Sequence, residues 1–508
     1  MLSQNRVAAV SRILNVALRN GASAEAICDR LQKAISGTYT PHSGWTDREF
    51  DIAFLIKALG GPRLLYVLQK AEGYPSLSTL RLRKQVPEML VSSGIPKMSD
   101  FNANFTAFLG EKGRRPPTDR RLGQVAMIDG VALEQVVRLD LESNNMMGLC
   151  REHSGYLKKT VDTVDDIQAV AKALRDLKSH RGKDGTVLAL APVTDTQDYY
   201  PVPLVLSPSC KTETGMQLMA WIKLFIEAYW THPAGEARHG IITTLSTDGK
   251  SSFRKLRFAL GLTELLDPSS RLGLILYPLP GLNLWTGERG LLTTSDPKHI
   301  VKRFATMIRS TKGIQIGDTT IGSGDACNTL TSTNKMTLSQ ATDLLDPADK
   351  QNVPKAVTLL QKLGEYAQEK VLQLPGHNHH TERVLFLANV LLHFLNPFTD
   401  VKMSLSEQLR SLSAYAHLIT ALYQRHHTAF LTSALIADSQ AIVKNIIFTI
   451  TRLQTIDVDA VYYILLEGTD RLEGVFSHVR TQDHARNFDV LQLAQKLSIR
   501  AEINAIFQ

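Results

Sequence analysis

QVAMIDG at residues 124–130 and GIITTLSTDGK at residues 240–250 share one design: an apolar run that closes on Asp-Gly. Short apolar runs bounded by turn residues read as strands. Asp129 and Asp248 would then each stand at the end of a strand, where catalytic groups of α/β sheets gather. A third acid lies far downstream in TDRLEGVFSHVR, residues 469–480. Leu472, Val475, Phe476 and Val479 form an apolar stripe at helical spacing, which predicts a helix packed on the core. Asp470 and Glu473, three apart, share a face of it, and Thr469 suits its N-cap. Three carboxylates brought together repel one another unless a cation neutralises them. An all-oxygen set suits Mg²⁺ or Mn²⁺. Such ions, about 3.5–4 Å apart, activate a water or 3′-hydroxyl in phosphodiester chemistry. Spacing alone leaves a plainer reading open, in which each acid is a separate turn or cap, because Asp-Gly is also a common turn.

Working outward, LEQVVRLD (133–140), NNMMGLC (144–150), TVLALAPV (186–193) and VPLVLS (202–207) read as further strands. Residues 164–179 and 215–230 read as helices. Past Asp248 the pattern turns helical. The expectation is an α/β protein: a mixed sheet core interrupted by a large all-helical insertion, after a helical N-terminal region. The division is 1–110 (helical), 120–262 (core, first part), 263–455 (insertion, no core strand expected) and 456–508 (core, C-terminal acidic helix). Within 1–110, Gly60-Gly61 close one helix, Pro62 opens the next, Gly73 stops it and Pro75-Ser76 start a third. That third helix carries Arg81, Arg83 and Lys84, so the segment is either a helix-turn-helix or a helical bundle with a basic face. A basic, Pro-broken linker follows at residues 111–121.

Composition narrows the class. At 508 residues, 44% hydrophobic and 21% charged, the chain buries a large core without disulfides. A net charge of +8 suits a nucleic-acid partner. The four cysteines, Cys28, Cys150, Cys210 and Cys327, are scattered, which argues for an intracellular protein without a disulfide framework or zinc finger. Cys150 and His153 have metal-like spacing, but no second pair follows at short range, so they read as structural. No secretory segment is visible, and the apolar run 384–395 is too short to span a bilayer, so no membrane partner is expected.

Several blocks carry a resemblance: MIDGVALEQVVRLD…NNMMGLCREHS, STDGKSSFRKL, GLNLWTG…DPKHIVKRFATMIRSTKGI, IVKNIIFTI and GTDRLEGVFSHVRT. Together they resemble a family abundant in mushroom-forming fungi, itself similar to P-element and THAP-type transposases of the RNase H-like superfamily. The resemblance implies an RNase H-like nuclease core performing metal-dependent DNA strand cleavage and strand transfer. It implies Asp129, Asp248 and Glu473 as the catalytic, metal-holding acids, with Asp470 as an additional acid. Asp296 and His299 match a D-x-x-H motif near the start of the insertion, followed by Lys302 and Arg303; Asp296 would orient the His299 ring, and these bases would contact DNA, while the residues alone equally allow Asp296 as the N-cap of a helix from Pro297 with His299 packed on its first turn. Double-stranded DNA (transposon ends and target), a homo-oligomeric state and a nuclear location are implied as well. P-element transposase uses GTP, so the resemblance keeps GTP as a further candidate cofactor, although no GTP contact matches residue by residue and Gly249-Lys250-Ser251 mimics a phosphate loop by chance. No N-terminal zinc-binding module is visible and the chain stops soon after the acidic helix. A truncated, decayed or domesticated copy, acting as a non-catalytic DNA-binding or interaction scaffold, is the alternative.

Overall fold

The computed structural model describes residues 7–19, 21–36, 45–110, 119–193, 199–332, 336–368, 379–482 and 487–507. Most of the predicted basic linker, 111–118, lies outside the described residues.

The N-terminal region is helical: α1 (Val7–Arg19), α2 (Ala24–Ile35), α3 (Asp47–Glu72), α4 (Leu77–Arg83) and α5 (Met98–Phe108). Its punctuation is the one read from sequence. Gly61 breaks α3 with φ 81°, ahead of Pro62, and Gly73 caps α3 in the left-handed conformation. Ser76 caps α4 by accepting from the Thr79 N–H.

The core follows as β1 (Gln124–Ala132), β2 (Arg138–Asp140), β3 (Asn145–Met147), α6 (Val164–Arg175), β4 (Asp184–Pro192), β5 (Val202–Ser209), α7 (Gly215–Thr231), α8 (Glu236–His239), β6 (Ile242–Thr247) and α9 (Ser251–Gly261). Next come β7 (Glu264–Leu265), α10 (Arg271–Leu276), β8 (Trp285–Thr286) and β9 (Leu292–Ser295). Among the described residues the central sheet has five strands in the order β5-β4-β1-β6-β9. β1 runs antiparallel to β4 and parallel to β6, and β6 runs parallel to β9. The continuous apolar run predicted at 186–193 makes β4 a strand buried along its whole length. β2 and β3 pair with each other, with one further bridge from Asn145 to Thr160, so they form a side hairpin rather than strands of the central sheet. Helix α7 seats Trp221, Phe225 and Tyr229 in the core; Phe101 and Phe105 of α5 meet Phe225 edge-on, each at 5.3 Å. Burial of each such ring contributes roughly 2–3 kcal/mol.

The interruption follows: α11 (Pro297–Ile308), β10 (Ile314–Ile316), β11 (Thr319–Ile321), α12 (Ser323–Thr331), α13 (Leu338–Leu344), α14 (Val353–Gln368), α15 (His379–Thr399), α16 (Leu405–His426) and α17 (Ser433–Ile456). The chain then returns with α18 (Asp470–Thr481), packed on β1, and α19 (Val490–Phe507), packed on β5 and α3. By length and composition α17 could cross a membrane. Leu435, Ile442, Val443, Ile446 and Phe448 are instead buried in the protein.

The mixed sheet interrupted by helices, after a helical N-terminal region, is the architecture expected. The expected insertion 263–455 needs correction on one point. It contains β9, which completes the central sheet beside β6, and the short β10–β11 hairpin, so it is not all helical. Four residues, LTTS, carry too short a pattern to be read as a strand; pairing with β6 makes them one. The helical run therefore begins at Pro297, one residue after Asp296.

Candidate active site

The register of the parallel pair places the first two acids. Ile128 of β1 lies opposite Thr247 of β6, so Asp129 and Asp248 follow side by side at the same end of neighbouring strands. Asp129 Oδ1 accepts the Gly130 N–H at 2.7 Å. Asp248 Oδ1 accepts the Lys250 N–H at 2.9 Å, and the Lys250 ammonium lies 3.4 Å from its other oxygen. Glu473 arrives on α18, whose Leu472, Val475, Phe476 and Val479 are buried as the stripe predicted.

These acids feel one another. Burial, with the negative charges of Asp248 and Glu473, raises the Asp129 carboxyl to about 7, against the pull of the Gly130 N–H and Lys250. Burial also raises Glu473, with the charges of Asp296 and Asp470 adding to it and Lys298 and Lys302 opposing. Asp470, on the same helix face, is ion-paired to Lys298. The acids share an edge and a field, yet they are not drawn to metal-bridging reach. Among the described residues, the group whose donor atoms all lie within 4.8 Å of one another is a different one: Cys150, His153, His180 and Cys210. That cluster corrects the reading of Cys150 and His153 as a pair without partners. The second pair exists, but it comes from two other loops.

Of the two readings of the D-x-x-H motif, the structure shows the helix cap and not the ring-orienting contact. Asp296 is fully buried and does not hold the His299 ring. Its Oδ1 accepts the Lys298 N–H at 2.8 Å, capping α11, and its Oδ2 accepts the Thr469 N–H at 2.8 Å. One carboxylate thus pins the starts of α11 and α18 together. Thr469 makes no side-chain cap of its own, because its hydroxyl goes to Asp296. Gly468 has φ 88°, and a Cβ there would stand 2.6 Å from Asp296 Oδ2. The His299 ring instead faces the acids, its Nε2 at 4.0 Å from Glu473 Oε1. Burial lowers its pKa, the charge of Asp296 opposing.

Two of the basic residues expected on DNA are engaged elsewhere. Lys84 is nearly buried and ion-paired with Asp51, at 2.7 Å, and Glu502. Arg303 donates to Asp438 at 2.7 Å. Arg81 and Arg83 are exposed, and the Lys302 ammonium reaches Gln351 at 3.4 Å. Asp438, missed in the sequence, is 1% exposed and takes three arginines: Arg254 and Arg257 of α9 and Arg303 of α11. It ties the helix that follows Asp248 to the helix that carries His299.

No family model matches the chain, and no curated protein matches it. Among solved structures it is similar to the Drosophila P element transposase strand transfer complex, at TM-score 0.62 and 12% identity. The match covers 97% of this chain and 98% of that chain. At that identity the likeness establishes the fold: a transposase-like mixed α/β core with its helical interruption in the same chain.

Proposed function

We propose that this protein cleaves and joins DNA strands with divalent-metal help, as an RNase H-like transposase. The observation that carries the reading is the side-by-side position of Asp129 and Asp248 where the β1–β6 pairing ends, with Glu473 delivered from the far side of the helical interruption. The donors are oxygens only, and burial, with the like charges of Asp248 and Glu473 adding to it, raises Asp129, a condition a bound cation relieves. Asp129, Asp248 and Glu473 would hold Mg²⁺ or Mn²⁺. Bound there, such ions activate the attacking water or 3′-hydroxyl and stabilise the leaving oxygen. The chain's own groups prepare that chemistry. Lys250 holds Asp248 until a cation replaces it. His299, neutral near pH 7, sits beside Glu473 and is placed to accept or relay a proton there. Arg81, Arg83 and Lys302 are placed to contact phosphates of double-stranded DNA, meaning transposon ends and target. Asp470 helps position Lys298 at the same edge. A nuclear location and a homo-oligomer that bridges two DNA ends follow from this reading.

A non-catalytic, domesticated scaffold has one observation in its favour: Lys250 and Lys298 already neutralise Asp248 and Asp470. Mg²⁺- or Mn²⁺-dependent nicking of candidate terminal-repeat DNA separates the two. The catalytic reading expects cleavage by the parent, none by Asp248→Asn, and equal DNA binding by both in a gel shift. Binding without cleavage by the parent, in either metal, supports the scaffold.

A further inference from the structure

The structure assigns a second metal centre to this chain: we propose that Cys150, His153, His180 and Cys210 bind one Zn²⁺ as a closed structural site. The four ligands come from three places around one corner of the sheet. Cys150 and His153 follow the β2–β3 hairpin, His180 lies between α6 and β4, and Cys210 comes directly after β5. Backbone pairing holds these segments together independently of any ion. The Cys150 N–H donates to the His180 carbonyl at 2.8 Å, and the Arg151 N–H to the Pro208 carbonyl at 2.9 Å.

The donor geometry fits a tetrahedral ion. His153 Nδ1 lies 3.5 Å from Cys150 Sγ and 3.4 Å from Cys210 Sγ. A tetrahedron with Zn–S of about 2.3 Å and Zn–N of about 2.0–2.1 Å has S···N edges of about 3.6 Å. All four donor atoms lie within 4.8 Å of one another, and the His153 and His180 rings are 4.3 Å apart between centroids. Hydrogen bonding alone does not account for this. A neutral imidazole nitrogen has one lone pair and accepts one thiol proton, yet two sulfurs flank the same Nδ1. Both cysteines are buried and free, in a chain whose other two cysteines stand elsewhere.

Burial pushes the Cys150 thiol up to about 12, so the neighbouring donors only partly offset the cost of a thiolate there. Cys210 Sγ lies 3.1 Å from the Thr212 hydroxyl, and the backbone N–H groups of His153 and His180 hydrogen-bond the Cys150 sulfur. The Glu152 carboxylate accepts the Cys210 N–H at 3.1 Å, which fixes the loop that carries this ligand. Two sulfurs and two imidazoles are soft and borderline donors, which select Zn²⁺ over the hard Mg²⁺. With four protein ligands no position is left for substrate, so the centre is structural rather than catalytic. Its mechanical effect is on the β2–β3 hairpin, which lacks pairing to the central sheet and would be stapled to the ends of β4 and β5.

The test is metal analysis of the full chain, purified without chelator after zinc-supplemented expression. One Zn²⁺ per chain is expected, unaffected by a Mg²⁺ wash. Replacement by Co²⁺ should give tetrahedral d–d bands with thiolate charge transfer, and stripping the metal should lower the melting temperature by about 5 °C or more. The Cys150→Ser/Cys210→Ser double variant should lose the metal, and Asp129→Asn should keep it. Chains with no bound zinc and reduced thiols would overturn the assignment, as would a Cys150–Cys210 disulfide in non-reduced peptide mapping. Because the first measurements use the parent protein, poor folding of the double variant leaves the outcome readable.

Discussion

The acidic edge and the Cys/His corner occupy the same end of one sheet, and they are built on opposite terms. From Asp129 the register crosses Val187 of β4 to Leu206 of β5, and Cys210 lies four residues further in the same direction. At the corner, soft donors stand within 4.8 Å of one another, fixed by backbone hydrogen bonds. At the edge, hard donors stay apart, each carboxylate held by its own partner: Gly130 for Asp129, Lys250 for Asp248, Lys298 for Asp470. Like charges resist collapse when no cation is present, whereas thiols and neutral imidazoles do not. A structural centre can therefore be complete in the fold, while a catalytic one waits for ion and substrate to close it.

The largest expected contrast comes from metal removal. Stripping zinc should destabilise the whole chain, since structural zinc contributes folding free energy directly. Withholding Mg²⁺ and Mn²⁺ should lower melting far less, by no more than the repulsion among the acids, and should not unfold the chain. Equal melting losses in the two experiments would break the distinction.

Next in size is the brace behind the acidic edge. Asp438→Ala leaves Arg254, Arg257 and Arg303 facing one another around an empty position. Breaking a buried ion cluster on one side costs roughly 3–5 kcal/mol. Urea unfolding should show that loss, and zinc content should stay intact, because no ligand of the corner touches this cluster. Loss of zinc in the variant would mean that the two regions are not independent.

Asp129→Asn should instead stabilise the protein in the absence of divalent ions. Its folded carboxyl, at about 7, lies above the unfolded value near 4. The fold therefore disfavours ionisation, and the parent loses stability as pH rises from about 4 to about 7. Taken whole this would be about 4 kcal/mol; since a mostly buried carboxyl can relax locally, about 1–3 kcal/mol is expected above pH 7. Melting at pH 5 and pH 8 checks this: the variant's advantage should appear at pH 8 and shrink at pH 5. An advantage independent of pH would remove the electrostatic argument.

The smallest stability effect belongs to the exposed bases. Arg81→Ala and Arg83→Ala should each change stability by less than about 0.5 kcal/mol. Each should also flatten the salt dependence of DNA binding by about one counterion. Lys84→Ala should do the reverse, lowering stability through the lost pairs with Asp51 and Glu502. Unchanged DNA binding in both arginine variants would return α4 to a plain bundle helix.

Local signals were readable in the sequence, and long-range ones were not. The Asp-Gly of GIITTLSTDGK marked the end of β6, whereas β1 runs past Asp129 to Ala132 against β4, and the stripe of Leu472, Val475, Phe476 and Val479 placed α18. Gly73 and Ser76 marked helix ends through the backbone angle and side-chain cap they supply. By contrast, β9 is a strand only because β6 lies beside it. The fates of Lys84 and Arg303 were decided by Glu502 and Asp438, far away in sequence. The Cys/His corner was illegible for the same reason: short-range spacing exposes Cys150 and His153, but His180 and Cys210 join them only through the turns around β4 and β5. Asp296 looked like a partner for His299 by spacing; Thr469, 173 positions on, took its oxygen.

In the proposed function Asp129, Asp248 and Glu473 form one metal-dependent cutting edge. Side-by-side nicking of terminal-repeat DNA by the parent, Asp129→Asn and Glu473→Gln, with and without Mn²⁺, tests it most directly. Mn²⁺-dependent product is expected from the parent, with a loss of at least about 100-fold in either variant, since even outer contacts of a metal site cost about 10–100-fold. Both variants should remain folded and zinc-loaded. Undiminished Mn²⁺-dependent nicking by either variant would contradict the account.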